Sequence, residues 1–475
     1  MPDAQPQKAA QPSAPRSYRP RIRRWLPLSA ALILIVLLYF LDNALKTSAI
    51  AGFAPKDATL VIASDNLAHA WAALESTDAH RRVMNEAPQV LYDAVMNGRK
   101  ASGIRWTPQR WRLWFGKRFV FARLDGRHGV CLRPGILGHA TALMLRAAAS
   151  QSPEEGVYRT AGVAYGWRDG FLIVSPSTPY VVETMAETAE RLELSNRPDS
   201  VSIDWRGEPA CRLTLHATPT LTIDGWVDIE IPERDAALTL AGAWPELPLL
   251  EVTGTSAEEL LKHVAEFLPD FPGTELVHQA LDELKSELPE DWAAGSDEFS
   301  FAIMSVDTTE FLAVPEMAMA VRGQRDLVRI KPPRDSIRHE WAGFSGWYKP
   351  WLGEKMSVCV AGAEDIRLFT SQERTMARCI DRIENAGASQ SDVLVSLDLT
   401  HFATIALVLT RRAAEYELIP RHNADDTEKR IVPFLDAAAQ LGTLYIDGRA
   451  GDGGVYVHAT LAAPPDTPSP HGSRT

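Results

Sequence analysis

Arg212-Leu-Thr-Leu-His-Ala217 and, beyond Pro219, Thr220-Leu-Thr-Ile-Asp-Gly-Trp-Val-Asp-Ile-Glu-Ile231 are the stretches whose reading decides the fold class. Leu213, Leu215 and Ala217 fall on one side of an alternating run. Leu221, Ile223, Val227, Ile229 and Ile231 continue that parity. A period of two marks strands with one buried face, and Pro219 interrupts it where a hairpin turns. Away from this hairpin the period becomes helical. Ser256-Ala-Glu-Glu259 is a capping box ahead of Leu260, Leu261, Val264, Phe267 and Leu268. Val277, Ala280, Leu281, Leu284 and Leu288 form a second stripe that Pro289 stops. Thr178-Pro179 opens a third helix, with Val181, Val182, Met185, Ala189 and Leu192 along its face. The alternation predicts an α+β fold of repeated strand–helix units, with helices packed on one face of mainly antiparallel sheets.

Internal similarity points to repetition. Ser305-Val-Asp307-Thr-Thr309-Glu-Phe311 matches Ser396-Leu-Asp398-Leu-Thr400-His-Phe402, and Ser64-Asp65 near the start has the same shape. A Trp and a Gly precede a strand at Trp114–Gly116, Trp292–Gly295 and Trp351–Gly353. Asp169-Gly-Phe-Leu-Ile-Val-Ser175 and Glu364-Asp-Ile-Arg-Leu-Phe-Thr370 each lead from a short strand into a helix. An Asp at a strand-to-helix junction caps the free N–H groups of the first turn, so Asp65, Asp307 and Asp398 read as caps. A Trp before Gly suits a helix end, with the Gly left-handed and the indole folded onto the core.

Of 475 residues, 45% are apolar and 23% charged, with 30 Gly, 32 Pro and four Cys. This usage excludes a disordered, collagenous, multi-span or disulfide-dense chain. The charge is unevenly spread. Six cations against Asp3 give residues 1–25 a charge of +5, so the remainder of this −12 chain carries −17. An acidic bulk argues against nucleic acid or an anionic membrane surface as the main partner. Leu26 to Leu41 runs sixteen residues without a charge, between Trp25 and the Tyr39-Phe40 pair. A spanning helix wants about 20 apolar residues, and interfacial aromatics extend this one. The cations ahead of it keep the tail cytoplasmic and send the rest outside. A cleaved signal ending at Ala49-Ile50-Ala51 and a twin-arginine signal at Arg23-Arg24 are the competing readings. The long spacer after the apolar core and Pro27 count against them.

The expected organisation is a basic disordered tail at 1–25, a transmembrane signal-anchor at 26–45 and α+β domains at 55–205 and 206–390. A strand–helix–hairpin unit at 391–462 packs with the repeats, and a disordered tail follows at 463–475. The cationic tail, the span, the Pro55-x-Asp57-Ala58 start and the phrases Asp169–Met185 and Asp392–Ile405 carry a resemblance. The chain resembles a loose group of bacterial membrane-anchored extracytoplasmic proteins of unknown function, over about residues 55–462. The resemblance implies the architecture and brings no catalytic residue with it.

Motifs for chemistry are sparse. The twelve His form no His-Glu-x-x-His, and no two Cys stand at zinc-ligand spacing. Asp447 and Asp452 share a Gly-rich loop whose flanks alternate like hairpin strands, so a turn is expected there. Gly343-Phe-Ser345-Gly346 places Trp347 where a nucleophile elbow requires Gly. Cys359 and Cys379 lie on neighbouring elements, either bridged or as buried thiols. The reading is a cell-envelope interaction protein with no catalytic, metal or cofactor residues. Its partners are the bilayer, through Leu26 to Leu41, and an envelope protein; the alternative is a glycan binder or hydrolase. Two surfaces are candidates for contact: Arg105, Trp106, Arg110 and Trp111, and Trp341, Trp347 and Tyr348.

Overall fold

The computed structural model describes residues 50–463 apart from 87–107, 149, 152–155, 161, 194–198, 218–219, 230, 232–236, 243, 245–246, 256–295, 309–313, 324–331, 333, 351–356, 384–385, 416–427, 430 and 452. The anchor, the stripes at 256–288, Trp292, Trp351, Arg105 and Trp106 lie outside the described residues. No described helix is long and apolar enough to cross a membrane.

Antiparallel sheet dominates, with helices in the connections. The first twelve strands are β1 (Ile50–Ala54), β2 (Leu60–Ser64), β3 (Phe119–Leu124), β4 (Arg127–Leu132), β5 (Ser150–Gln151), β6 (Val157–Thr160), β7 (Val163–Arg168), β8 (Phe171–Ser175), β9 (Glu190–Glu193), β10 (Ser200–Trp205), β11 (Cys211–Ala217) and β12 (Leu221–Val227). The next twelve are β13 (Leu238–Ala241), β14 (Leu250–Gly254), β15 (Ser296–Asp307), β16 (Val314–Gly323), β17 (Ile337–Trp341), β18 (Phe344–Pro350), β19 (Ser357–Ala363), β20 (Ile366–Thr370), β21 (Gly387–Ser389), β22 (Val393–Asp398), β23 (Thr443–Gly451) and β24 (Gly454–Ala462). The described helices are α1 (Leu67–Ser76), α2 (Asp78–Glu86), α3 (Pro108–Phe115), α4 (Ile136–Ala148), α5 (Thr178–Met185), α6 (Glu373–Ile383), α7 (Leu399–Glu415) and α8 (Val432–Ala439).

From one edge the large sheet runs β5-β6-β7-β8-β4-β3-β2-β10-β11-β12. From the other edge it runs β17-β18-β19-β20-β16-β15-β14-β22-β23-β24. The β12–β24 pair joins them, and every pairing is antiparallel. Each strand of the first half thus has its positional counterpart twelve strands later. The separate two-stranded sheets, β1–β9 and β13–β21, obey the same rule. The boundary expected at 205/206 falls between β10 and β11, which are neighbours in this sheet.

Each half has its own core on the same face of the sheet. In the first, Val61, Val120, Ala122, Cys131 and Ile173 pack under Phe53 of β1 and Tyr180 and Val181 of α5. In the second, Ala302, Ala320, Cys359 and Leu368 pack under Leu240 of β13 and Met376, Cys379 and Ile380 of α6. Equivalent positions tie the small sheets down with opposite chemistry. Arg118 Nη1 donates to the Ile50 carbonyl at 2.8 Å. Glu298, one position before Phe299 as Arg118 is before Phe119, accepts from the N–H groups of Thr239 and Leu240.

The sheet has two apolar parities along the wings, and α5 and α6 cover one of them. On the other lie Val252, Phe299 and Val321. α1 packs near β10 and β11, and α7 near β22 and β23. One further expectation gives way. The helix opened by Thr178-Pro179 ends at Met185, and Leu192 reaches the core from β9 instead. Asp307 ends β15 and pairs with Val314 of β16, and the helix start expected from Thr309 lies outside the described residues.

Candidate functional site

The hairpin β11–β12 shows why the middle of the sheet differs from its wings. One parity carries Leu213, Leu215, Ile223 and Val227, and the other carries Arg212, Thr214, His216, Thr222, Asp224 and Trp226. The hairpin β23–β24 presents Tyr445, Asp447, Arg449, Tyr456, His458 and Thr460 on the same side. Register sets these twelve side chains into three rows of four. One row reads Arg212, Trp226, Tyr456, Arg449; the next Thr214, Asp224, His458, Asp447; the third His216, Thr222, Thr460, Tyr445. The first two rows line a concavity of about 1300 Å³ whose rim includes Glu190, Asp204 and Arg206, and the third row lies outside it.

Asp224 and His458 face each other at the centre, each in the position its partner holds in the other half. His458 Nδ1 lies 2.6 Å from Asp224 Oδ1, and Thr460 Oγ1 lies 3.1 Å from His458 Nε2. A proton on Nδ1 directed at the carboxylate leaves Nε2 to accept from the threonine hydroxyl. His216 Nε2 stands 3.6 Å from the second Asp224 oxygen. Asp447 accepts from Ser391 Oγ, which fixes the end of this row. The Asp–His–Thr chain has the order of a nucleophilic relay. Its His and Asp side chains are 55% and 50% exposed, however. In that solvated setting a charge relay gains little, because water screens what a dry pocket would amplify. The arrangement serves better as a fixed set of hydrogen-bonding groups.

The rim is electrostatically locked. Arg206 donates to Asp204 Oδ2 at 2.9 Å and lies 2.7 Å from Glu190 Oε2, which joins β9 to the large sheet. Burial works to lower the Arg206 pKa, yet the hydrogen bonds it donates to Glu190 and Asp204 prevail and raise it. This guanidinium therefore keeps its charge.

The residues singled out in the sequence sit elsewhere. Arg110 and Trp111 fall on α3. Trp341 and Trp347 are buried, 6% and 8% exposed, and Trp341 belongs to the second core. Tyr348 is half-buried against that core. Cys359 and Cys379 are free thiols within it. Asp447, expected in a loop, lies instead within β23 opposite His458, and the hairpin closes beyond the Gly451–Gly454 pair. No described group of three or more His, Cys, Asp or Glu is placed to hold a metal ion. What could have revealed the site is the polar parity of the two hairpins, Arg-Thr-His and Asp-Trp in one, Asp-Arg and Tyr-His-Thr in the other.

Compared with protein-family models, curated proteins and solved structures, the chain finds no match.

Proposed function

We propose that this chain is a membrane-anchored extracytoplasmic interaction protein of the cell envelope, in which two copies of one α+β unit present their shared central sheet face to a partner. The observation that carries the reading is the three-by-four array of polar and aromatic side chains, on the same sheet face that carries an apolar core in each wing. Burying polar groups costs free energy unless each finds a partner, so a face left polar and solvent-facing between two cored wings is suited to a ligand that supplies those partners.

The twelve-strand offset supports repetition, with the repeat boundary between β12 and β13 at 228–237. The Asp169–Ser175 and Glu364–Thr370 phrases contain β8 and β20, which hold equivalent places and lead into α5 and α6. Membrane attachment rests on Leu26 to Leu41 and the +5 tail. Retention of the anchor gains support from β1, because Ala51 is 2% exposed inside a strand that begins at Ile50. Cleavage after Ala51 would cut through that strand. The test joins topology to surface. A reporter active only outside the cytoplasm, fused after Ala463, should be active. Envelope components that co-purify with the full-length chain should be lost on Arg449→Glu with Tyr456→Ala. A silent reporter, or unchanged co-purification, would contradict the reading.

A further inference from the structure

Three aromatic rings around the concavity lie against glycines rather than standing out from the sheet. A Cβ on Gly454 would come 2.5 Å from Trp226 Nε1, and one on Gly451 would come 2.6 Å from Tyr456 Cε2. The same holds for Trp205, whose Nε1 would be 2.5 Å from a Cβ on Gly207. Glycine lets each ring lie down on the backbone, with its other side turned outward. Tyr180 of α5 shows the same packing on Gly129 inside the first core, where its ring is buried. Tyr456 is instead 57% exposed and Trp205 38% exposed.

We infer that the Trp226–Tyr456 row is a stacking platform for a neutral oligosaccharide, an inference that rests on the central face being the interaction surface. A sugar ring has an apolar face of C–H groups and a rim of hydroxyls. Laid-down aromatic rings match the face, and groups fixed beside them match the rim. The flanking row supplies them as Asp224, His458 and Asp447, with Arg212 and Arg449 at the ends of the aromatic row. Charge argues for a neutral ligand. Arg206, Arg212 and Arg449 are nearly balanced by Glu190, Asp204, Asp224 and Asp447, so a polyanion finds no net attraction. Geometry argues against an extended peptide. β11, β12, β24 and β23 are paired on both sides, which leaves no edge for strand addition. Four strands by three rows measure about 14 Å each way, room for roughly two or three sugar rings.

The experiment uses the full chain in a detergent without a sugar headgroup, titrated with cellotriose and with the N-acetylglucosamine trimer. Saturable binding is expected for at least one, with saturation transfer strongest at the ring C–H protons. Tyr456→Ala should weaken it by about tenfold, while Tyr456→Phe should hold affinity within about twofold, because the ring remains. Gly451→Ala is the sharper variant: its Cβ meets only the Tyr456 ring, so it tilts the platform without deleting it. It should weaken binding at an unchanged melting temperature. No saturation with either trimer, or binding that survives both Tyr456→Ala and Gly451→Ala, overturns the inference. If a photoreactive residue at 456 captures a protein in intact envelopes while neither trimer binds, the oligosaccharide falls and the interaction surface stands. If neither trimer nor protein is captured, both fall.

Discussion

Replacing Glu298 by Ala should detach β13 from the large sheet while leaving the ladders on either side intact. Glu298 is 0% exposed and accepts three hydrogen bonds, from the N–H groups of Thr239 and Leu240 and from the Thr239 hydroxyl at 2.7 Å. Its loss strands all three donors together. The β13 ladder with β21 is irregular and pairs only Leu238 with Ser389 and Ala241 with Gly387, so core burial of Leu238 and Leu240 and the Glu298 bonds carry much of its attachment. A buried donor left without a partner costs about 1–3 kcal/mol, so the three total on the order of 3–6 kcal/mol, the lower end applying where water fills the void. Leu238 and Leu240, both 0% exposed, would loosen with the strand. Amide exchange read by mass spectrometry on a peptide covering 237–242 is the direct assay. A local loss of about 3 kcal/mol or more speeds exchange at Thr239 and Leu240 by at least about a hundredfold. The ladder between β14 and β15 should keep its protection, and the melting temperature should fall by several degrees. Glu298→Gln keeps one acceptor but turns an amide N–H toward a donor, so it should sit between the wild type and Ala. Wild-type exchange at 239 and 240 in Glu298→Ala, at an unchanged melting temperature, would refute the reasoning.

Other outcomes follow from particular contacts. Asp398 accepts from the His401 N–H at 2.9 Å at the start of α7, so Asp398→Ala should cost about 0.5–2 kcal/mol and Asp398→Asn should restore most of it, as thermal melts would show. Gly116 ends α3 at φ +73°, and a Cβ there would lie 1.9 Å from the Arg133 carbonyl oxygen; Gly116→Ala should sharply lower the melting temperature and the soluble yield. Burial pushes the Cys131 and Cys379 thiols up to about 12, and raises Cys359 and Cys211 as well. Iodoacetamide at pH 8 should therefore label half-buried Cys211 first and leave the other three until the chain unfolds. Because the folded thiols hold their protons longer than unfolded ones, stability should be flat below about pH 9 and fall as pH climbs toward 12, as denaturation across that range would show.

How much of this was legible depends on the distance over which the physics acts. The alternation of Leu213, Leu215, Ile223 and Val227 marks strands, and they form the antiparallel hairpin β11–β12; both of its faces are half-buried rather than one being buried. Thr178-Pro179 marks a helix start because the fixed φ of a first-turn proline acts locally. Asp398 caps α7 through the N–H three positions on, an equally local effect, while the residues after Asp307 that repeat its letters lie outside the described residues. Asp65 bonds Arg118 at 2.7 Å, and its neighbour Asn66 makes the cap to the His69 N–H. The helical stripe through Leu192 failed because an apolar residue every three or four positions also fits a helix followed by a strand in the same core. The candidate site was the least visible part. Asp224 and His458 are 234 positions apart, and only the pairing of β12 with β24 sets them face to face. Trp341 and Trp347 suggested a surface by composition, but a large sheet with cores on both faces buries such rings.

The central claim is that the middle of the sheet is where this protein meets the envelope. A photoreactive amino acid placed at 456 or, as a control, at Phe434, which is 64% exposed on α8, tests it in intact cells expressing the full chain. The account predicts discrete adducts from position 456 that disappear with Arg449→Glu, and none of the same mobility from position 434. Adducts from 434 alone, or identical adducts from both positions, would contradict it.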